Sequence, residues 1–115
     1  MKKESTENLK EVSLIEGVKA RFFSGEKIMF SLVRLDPNVV LPAHSHPHEQ
    51  MGFVLEGSLV LRSGEKEEAL SPGDVYALKG DEPHEAVAGP DGALVLDVFS
   101  PVREEYLKMV DEEGK

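Results

Sequence analysis

Nine consecutive residues, Pro42-Ala43-His44-Ser45-His46-Pro47-His48-Glu49-Gln50, hold three of the four histidines in this chain. The flanking sequence reads as strand. Side chains two apart on a strand share a face, so His44 and His46 can address one point. Pro47 cannot donate to a sheet ladder and marks an edge or bend. Past that bend, Gln50 can return its amide oxygen towards the two imidazoles. Two ring nitrogens and an oxygen converging on one point describe a divalent-metal pocket better than a core. The competing reading is an exposed, His-rich loop tip, against which two inward neutral imidazoles would each need a partner. His48 and Glu49 compete with Gln50 for the ligand role. Pro47 breaks the register that would bring His48 onto the face of His46, and simple alternation turns Glu49 away from the face of Gln50.

The fourth histidine, His84, follows the turn Gly80-Asp81-Glu82-Pro83. Alone it would read as a satisfied surface or core residue; beside a His pair it is the third imidazole a firm site needs. Three neutral imidazoles and a neutral amide leave the charge of a divalent ion uncompensated. Such an ion acts strongly as a Lewis acid or anion anchor. Three imidazoles and an amide suit nickel, zinc, iron, manganese or cobalt alike.

A second constellation lies in Ala93-Leu94-Val95-Leu96-Asp97-Val98-Phe99, an apolar strand with one carboxylate. A buried, unpaired carboxylate is costly, so Asp97 is salted, solvated in a cleft, or functional. Phe99 shares its face, and Arg103 follows shortly after. An Asp97–Arg103 structural bridge and a functional pair stand level on spacing alone.

These residues need a scaffold. At 115 residues the chain is one domain with room for a single core, and 40% apolar with 30% charged residues is an ordinary globular balance. Absence of cysteine removes disulfides, thiolate ligands and thiol nucleophiles, and is compatible with the cytoplasm, the expected location. The first ten residues carry no apolar h-region, and no apolar run reaches membrane-spanning length. A net charge of −9 repels nucleic acid and anionic lipid, so neither is an expected partner. It also repels an anionic substrate at long range.

Residues 1–13 read as a solvated arm ordered by a partner subunit, and 14–115 as a single domain. Short apolar segments follow at 18–23, 27–35, 39–43, 51–56, 58–62, 67–70, 74–78, 84–88 and 93–99. Turn clusters separate them, among them Glu56-Gly57 and Gly89-Pro90-Asp91-Gly92. Strands this short and evenly spaced predict an all-β sandwich or barrel rather than a parallel α/β sheet. Val102, Tyr106, Met109 and Val110 then recur at helical spacing, predicting a short C-terminal amphipathic helix.

The His-x-His-x3-Gln-x6-Gly run from His44 to Gly57 and the Gly-x10-His run from Gly73 to His84 resemble the two motifs of the cupin superfamily. The resemblance covers residues 35–100. It implies an antiparallel jelly-roll barrel, a homodimer, and one divalent transition metal held by His44, His46, Gln50 and His84. Departures from the motif are Gln50 for Glu, Lys79 for Pro, Asp81 for Gly and Ala88 for Asn. The ending Asp97-Val98-Phe99-Ser100-Pro101-Val102-Arg103-Glu104-Glu105-Tyr106 is similar to that of the pectin-degradation cupins, the KdgF type, with Val102 at a common Pro. That resemblance implies an enzyme turning cyclic 4,5-unsaturated uronates into linear keto-sugar acids without redox chemistry. Asp97 would move the proton, Arg103 clamp the sugar-acid carboxylate and Phe99 wall the sugar. A cupin dioxygenase or isomerase on another small molecule, and a non-catalytic sugar-acid-binding cupin, are the alternatives.

Overall fold

The computed structural model describes residues 1–113; residues 114–115 of the expected domain lie outside the described residues. Eight strands and one helix follow in order: β1 (Val12–Ile15), β2 (Val18–Ser24), β3 (Met29–Leu35), β4 (Val40–His44), β5 (Glu49–Ser63), β6 (Lys66–Leu70), β7 (Val75–Leu78), β8 (His84–Ser100) and α1 (Glu104–Glu113). Every strand pairing is antiparallel. The all-β architecture with a short C-terminal helix is as expected.

Two long strands organise it. β5 and β8 pair with each other from Glu49↔Ser100 to Arg62↔Glu85. The first half of β5 takes β7 on its other edge and the second half takes β6. β8 takes β4 beside its first half and β3 beside its second. With β2 on β3 and β1 on β2, this makes two layers, β1-β2-β3-β8-β5-β7 and β4-β8-β5-β6, that share the long strands. Segments 51–56 and 58–62, expected as separate strands, are therefore one, and so are 84–88 and 93–99. The turn residues between them serve as bulges: Gly57 pairs Ala93 and Leu59 pairs Ala88, so residues 89–92 stand against Ser58 alone. A bulge bends a strand without ending it. Gly57 has φ +74, and a Cβ there would lie 2.0 Å from the Gly92 carbonyl oxygen, so only glycine fits the bend.

Inward positions alternate along the strands and merge into one core, built from Val18, Ala20 and Phe22 on β2, Met29, Val33 and Leu35 on β3, Val54 and Leu59 on β5, and Val95 and Phe99 on β8. Among the inward positions that break the apolar series, Ser31 on β3 and Asp97 on β8 are direct cross-strand partners. Helix α1 closes one end, its Tyr106 ring stacked 4.7 Å from Phe22 and meeting Phe99 edge-on at 5.8 Å. Glu104 and Glu105 in its first turn suit the positive end of the helix dipole.

The segment read as an arm behaves differently from expectation. Val12 opens β1 and is fully buried, and Arg21 donates from its Nη1 to the carbonyl oxygens of Thr6, Glu7 and Leu9. Lys2 Nζ donates to the Ser24 carbonyl at 2.6 Å. This chain's own strands thus hold its first residues. The outer face of the larger layer is also apolar: Phe30, Met51, Phe53 and Leu55 are 40–54% exposed. No described helix is long and apolar enough to cross a membrane.

Candidate metal centre

β4 ends on His44, which pairs directly across the ladder with His84, the first residue of β8; their ring centroids are 4.3 Å apart. His46 sits in the bend before β5, as Pro47 foretold, and its ring lies 5.2 Å from that of His84 and 5.7 Å from that of Phe99. One ligand atom from each of His44, His46 and His84 falls within 4.8 Å of the others. Each Nδ1 meets a backbone carbonyl: Pro42 at 2.9 Å, His48 at 3.1 Å and Glu82 at 2.8 Å respectively. A carbonyl oxygen only accepts, so each Nδ1 carries the hydrogen and each Nε2 presents a lone pair. This is the tautomer a metal ligand needs, set by its outer hydrogen bond.

Gln50 is buried on β5 and Glu49 beside it is exposed, so strand alternation sorts the two as expected. The Gln50 Oε1 lies 3.0 Å from His46 Nε2. Two acceptors face each other there, and only a proton or a cation between them makes the contact favourable. A proton is disfavoured, because burial foremost and the Arg103 charge next lower the His46 pKa, against the Gln50 hydrogen bond. Burial likewise lowers that of His84. Three Nε2 lone pairs and an amide oxygen, with burial setting His46 and His84 against protonation, fit a divalent transition metal. His48 contributes its carbonyl rather than its ring, and its Nδ1 is buried without a partner among the described residues.

Behind this cluster lies Asp97. Its Oδ1 accepts the Tyr76 hydroxyl at 2.5 Å, and it also accepts from the Gln50 amide. The Gln50 NH2 therefore faces the carboxylate, which turns its oxygen towards the histidines. Burial raises the Asp97 pKa to about 6, against the Tyr76 and Gln50 hydrogen bonds and the Arg103 charge that favour ionisation. Burial, with the Asp97 charge second, holds the Tyr76 phenol well above its ordinary range, so it remains a donor.

Arg103 does not bridge Asp97, which removes the structural-bridge reading. Its Nε donates to Glu105 Oε1 at 2.9 Å, and its guanidinium lies 4.0 Å from the Tyr106 ring centroid and 5.0 Å from that of Phe99. Among the described residues its two terminal nitrogens have no hydrogen-bond partner. His44, Gln50, His84, Asp97, Phe99 and Arg103 all line one cavity of about 90 Å³, while His46 joins it through its contacts with His84 and Phe99. Sequence reasoning missed Tyr76 and Glu105. A signal for Tyr76 existed in Gly52, a glycine inside a strand, which marks a close approach by something large.

The cupin domain family profile matches residues 31–99. Pectin degradation protein KdgF of Dickeya dadantii (strain 3937) is 30% identical over 95 residues, 80% of this chain and 86% of that protein. The solved structure of KdgF from Halomonas sp. superposes with a TM-score of 0.83 at 27% identity, covering 89% of this chain and 94% of that one. An RmlC-like cupin from Shewanella frigidimarina gives the same TM-score at 25% identity, over 90% and 93% of the two chains. A family match over both histidine motifs and a barrel shared nearly end to end make this chain a member of the cupin family and a homologue of KdgF.

Proposed function

We propose that this cupin is a metal-dependent enzyme that linearises cyclic 4,5-unsaturated uronates, using His44, His46, Gln50 and His84 to hold one divalent transition metal. One observation carries the reading: metal-ready lone pairs, a carboxyl group that titrates near 6 and an arginine with two unpaired terminal nitrogens share a single cavity. The likeness to proteins named for pectin degradation supports it, since pectin cleavage by elimination releases such unsaturated sugar acids.

The ion, when bound, supplies Lewis acidity towards a ring or hydroxyl oxygen. The chain does the rest. Arg103 offers two parallel N–H donors to the uronate carboxylate, held in place by Glu105 and by the ring of Tyr106. Phe99, edge-on to His46, presents its ring as a wall for the sugar. Protonated Asp97 donates to C4 of the enol ether as water adds at C5 and gives up one proton, which restores the Asp97 carboxyl, and a hemiketal results. The C5–O5 bond then breaks as the new hydroxyl loses its proton and O5 gains one. Loss of water from the C1 gem-diol leaves a linear keto-aldehyde isomeric with the substrate. No oxidant or reductant enters, so no redox cofactor is required.

The test is elemental analysis of the purified protein beside a scan of unsaturated uronates by loss of ultraviolet absorbance. About one equivalent of metal per chain and decay of the enol-ether band are expected. Oxygen consumption with bound iron, and no decay, would replace this reading with an oxygenase.

A further inference from the structure

Tyr76, Gly52, Asp97 and Ser31 form one row across four strands, β7-β5-β8-β3, through the pairings Gly52↔Tyr76, Gly52↔Asp97 and Ser31↔Asp97. Tyr76 and Asp97 are thus two strands apart, about 10 Å between backbones. A phenol spans that gap only by lying across the strand between them. Gly52 is what lets it: a Cβ there would stand 2.1 Å from Tyr76 Cζ and 2.3 Å from its hydroxyl oxygen. The hydroxyl then reaches Asp97 Oδ1 at 2.5 Å. A strand-interior glycine is unfavourable in itself and packs nothing, so this arrangement is bought for the contact it permits.

We propose that Tyr76 is a positioning residue that fixes the Asp97 carboxyl through Oδ1 and so reserves Oδ2 for the proton that moves during catalysis. This rests on the uronate-linearising reading above. A phenol has one hydrogen, and donating it to Oδ1 stops the carboxyl from turning. Gln50 is a second donor to the same group, which ties the carboxyl orientation to the metal-facing amide. On the other flank stands Ser31, buried, lining the cavity, its Oγ without a partner among the described residues, so it does not restrain Asp97 in the same way. The restraint falls to Tyr76, with Gln50 beside it.

The deciding variant is Tyr76→Phe in the full chain, which keeps the ring over Gly52 and deletes only the hydroxyl. The expected result is metal content as in wild type, a melting temperature lowered by no more than the loss of one buried hydrogen bond, KM within twofold, and kcat lowered roughly ten- to a hundredfold, part of the factor that general acid–base catalysis supplies. A second readout needs no substrate. The chain has two tyrosines, so 13Cζ-tyrosine labelling gives two NMR signals, and Tyr76→Phe assigns them. In metal-free protein, Asp97→Asn should move the Tyr76 signal and leave that of Tyr106 in place. An unchanged kcat in Tyr76→Phe overturns the proposal. So does a lower kcat matched by lost metal or by unfolding at the assay temperature, or a Tyr76 signal indifferent to Asp97→Asn. If the wild type acts on no unsaturated uronate, the functional reading falls separately, and the resonance alone decides whether Tyr76 restrains Asp97.

Discussion

Asp97→Asn should make the metal-free protein more stable and the loaded enzyme nearly inactive, two effects of opposite sign from one change. The stability term follows from burial. A carboxyl with a folded-state pKa of about 6 against an ordinary 3.8 favours the folded state fully below the lower value and progressively loses that advantage as pH rises through the higher one. At 1.36 kcal/mol per pKa unit, the ionised carboxylate costs the fold up to about 3 kcal/mol at neutral pH. Asparagine keeps the shape and an oxygen for the Tyr76 hydroxyl but never ionises. The variant should therefore match wild type near pH 4 and exceed it at pH 8, the part of the slope that Asp97 contributes being absent. Urea denaturation of EDTA-treated protein at several pH values measures this directly. In the loaded enzyme, turnover of unsaturated uronates should fall by about two to four orders of magnitude, the span of general acid–base catalysis. Normal turnover with lower stability at pH 8 would refute the reasoning and return Asp97 to a structural role.

His84→Ala should strip the metal while leaving a folded barrel, because the core cluster is apolar and does not include it; metal content and circular dichroism check both halves. Arg103→Lys keeps the charge but loses the planar fork, so KM for the uronate should rise about tenfold with kcat much less affected, read from initial rates. The apolar outer face should be covered by a second copy: Arg34 and Glu56 flank Leu94 in one row, and a two-fold axis through Leu94 and Leu96 sets each against its opposite on the partner. Sedimentation at micromolar concentration should show a dimer that Leu96→Glu dissociates; a wild-type monomer would refute it.

The grouping of the histidines was legible because it is local. Alternation puts His44 and His46 on one face and sorts Gln50 from Glu49, and these are properties of neighbouring residues. Joining His84 to them required a second motif, since no local rule says that β8 begins opposite the end of β4. Strand ends were harder. Gly57 and residues 89–92 carry the composition of turns, yet here they bend two continuous strands. The difference lies in the partner: each bulge is held open by the other across the ladder, and a single strand read alone does not contain that information. Val12 falls within the expected arm for a related reason. Its burial comes from pairing with Ala20, a contact invisible from the polar residues before it.

Arg103 shows why the chemistry around Asp97 was only half readable. Spacing offered a salt bridge, the cheapest solution for a buried carboxylate, and the fold declines it. Glu105 takes the Nε edge of Arg103 two residues on, while Tyr76 and Gln50 satisfy Asp97 from across the sheet. The two charges stay in one cavity without neutralising each other. Direct pairing would have pushed the Asp97 pKa down into the ordinary carboxylate range and consumed the guanidinium. Apart, they leave a carboxyl that can hold a proton near neutral pH and an arginine whose terminal nitrogens can receive an acid. A separation kept by specific third partners is what the proposed chemistry would need, a site that handles a proton and an anion at once.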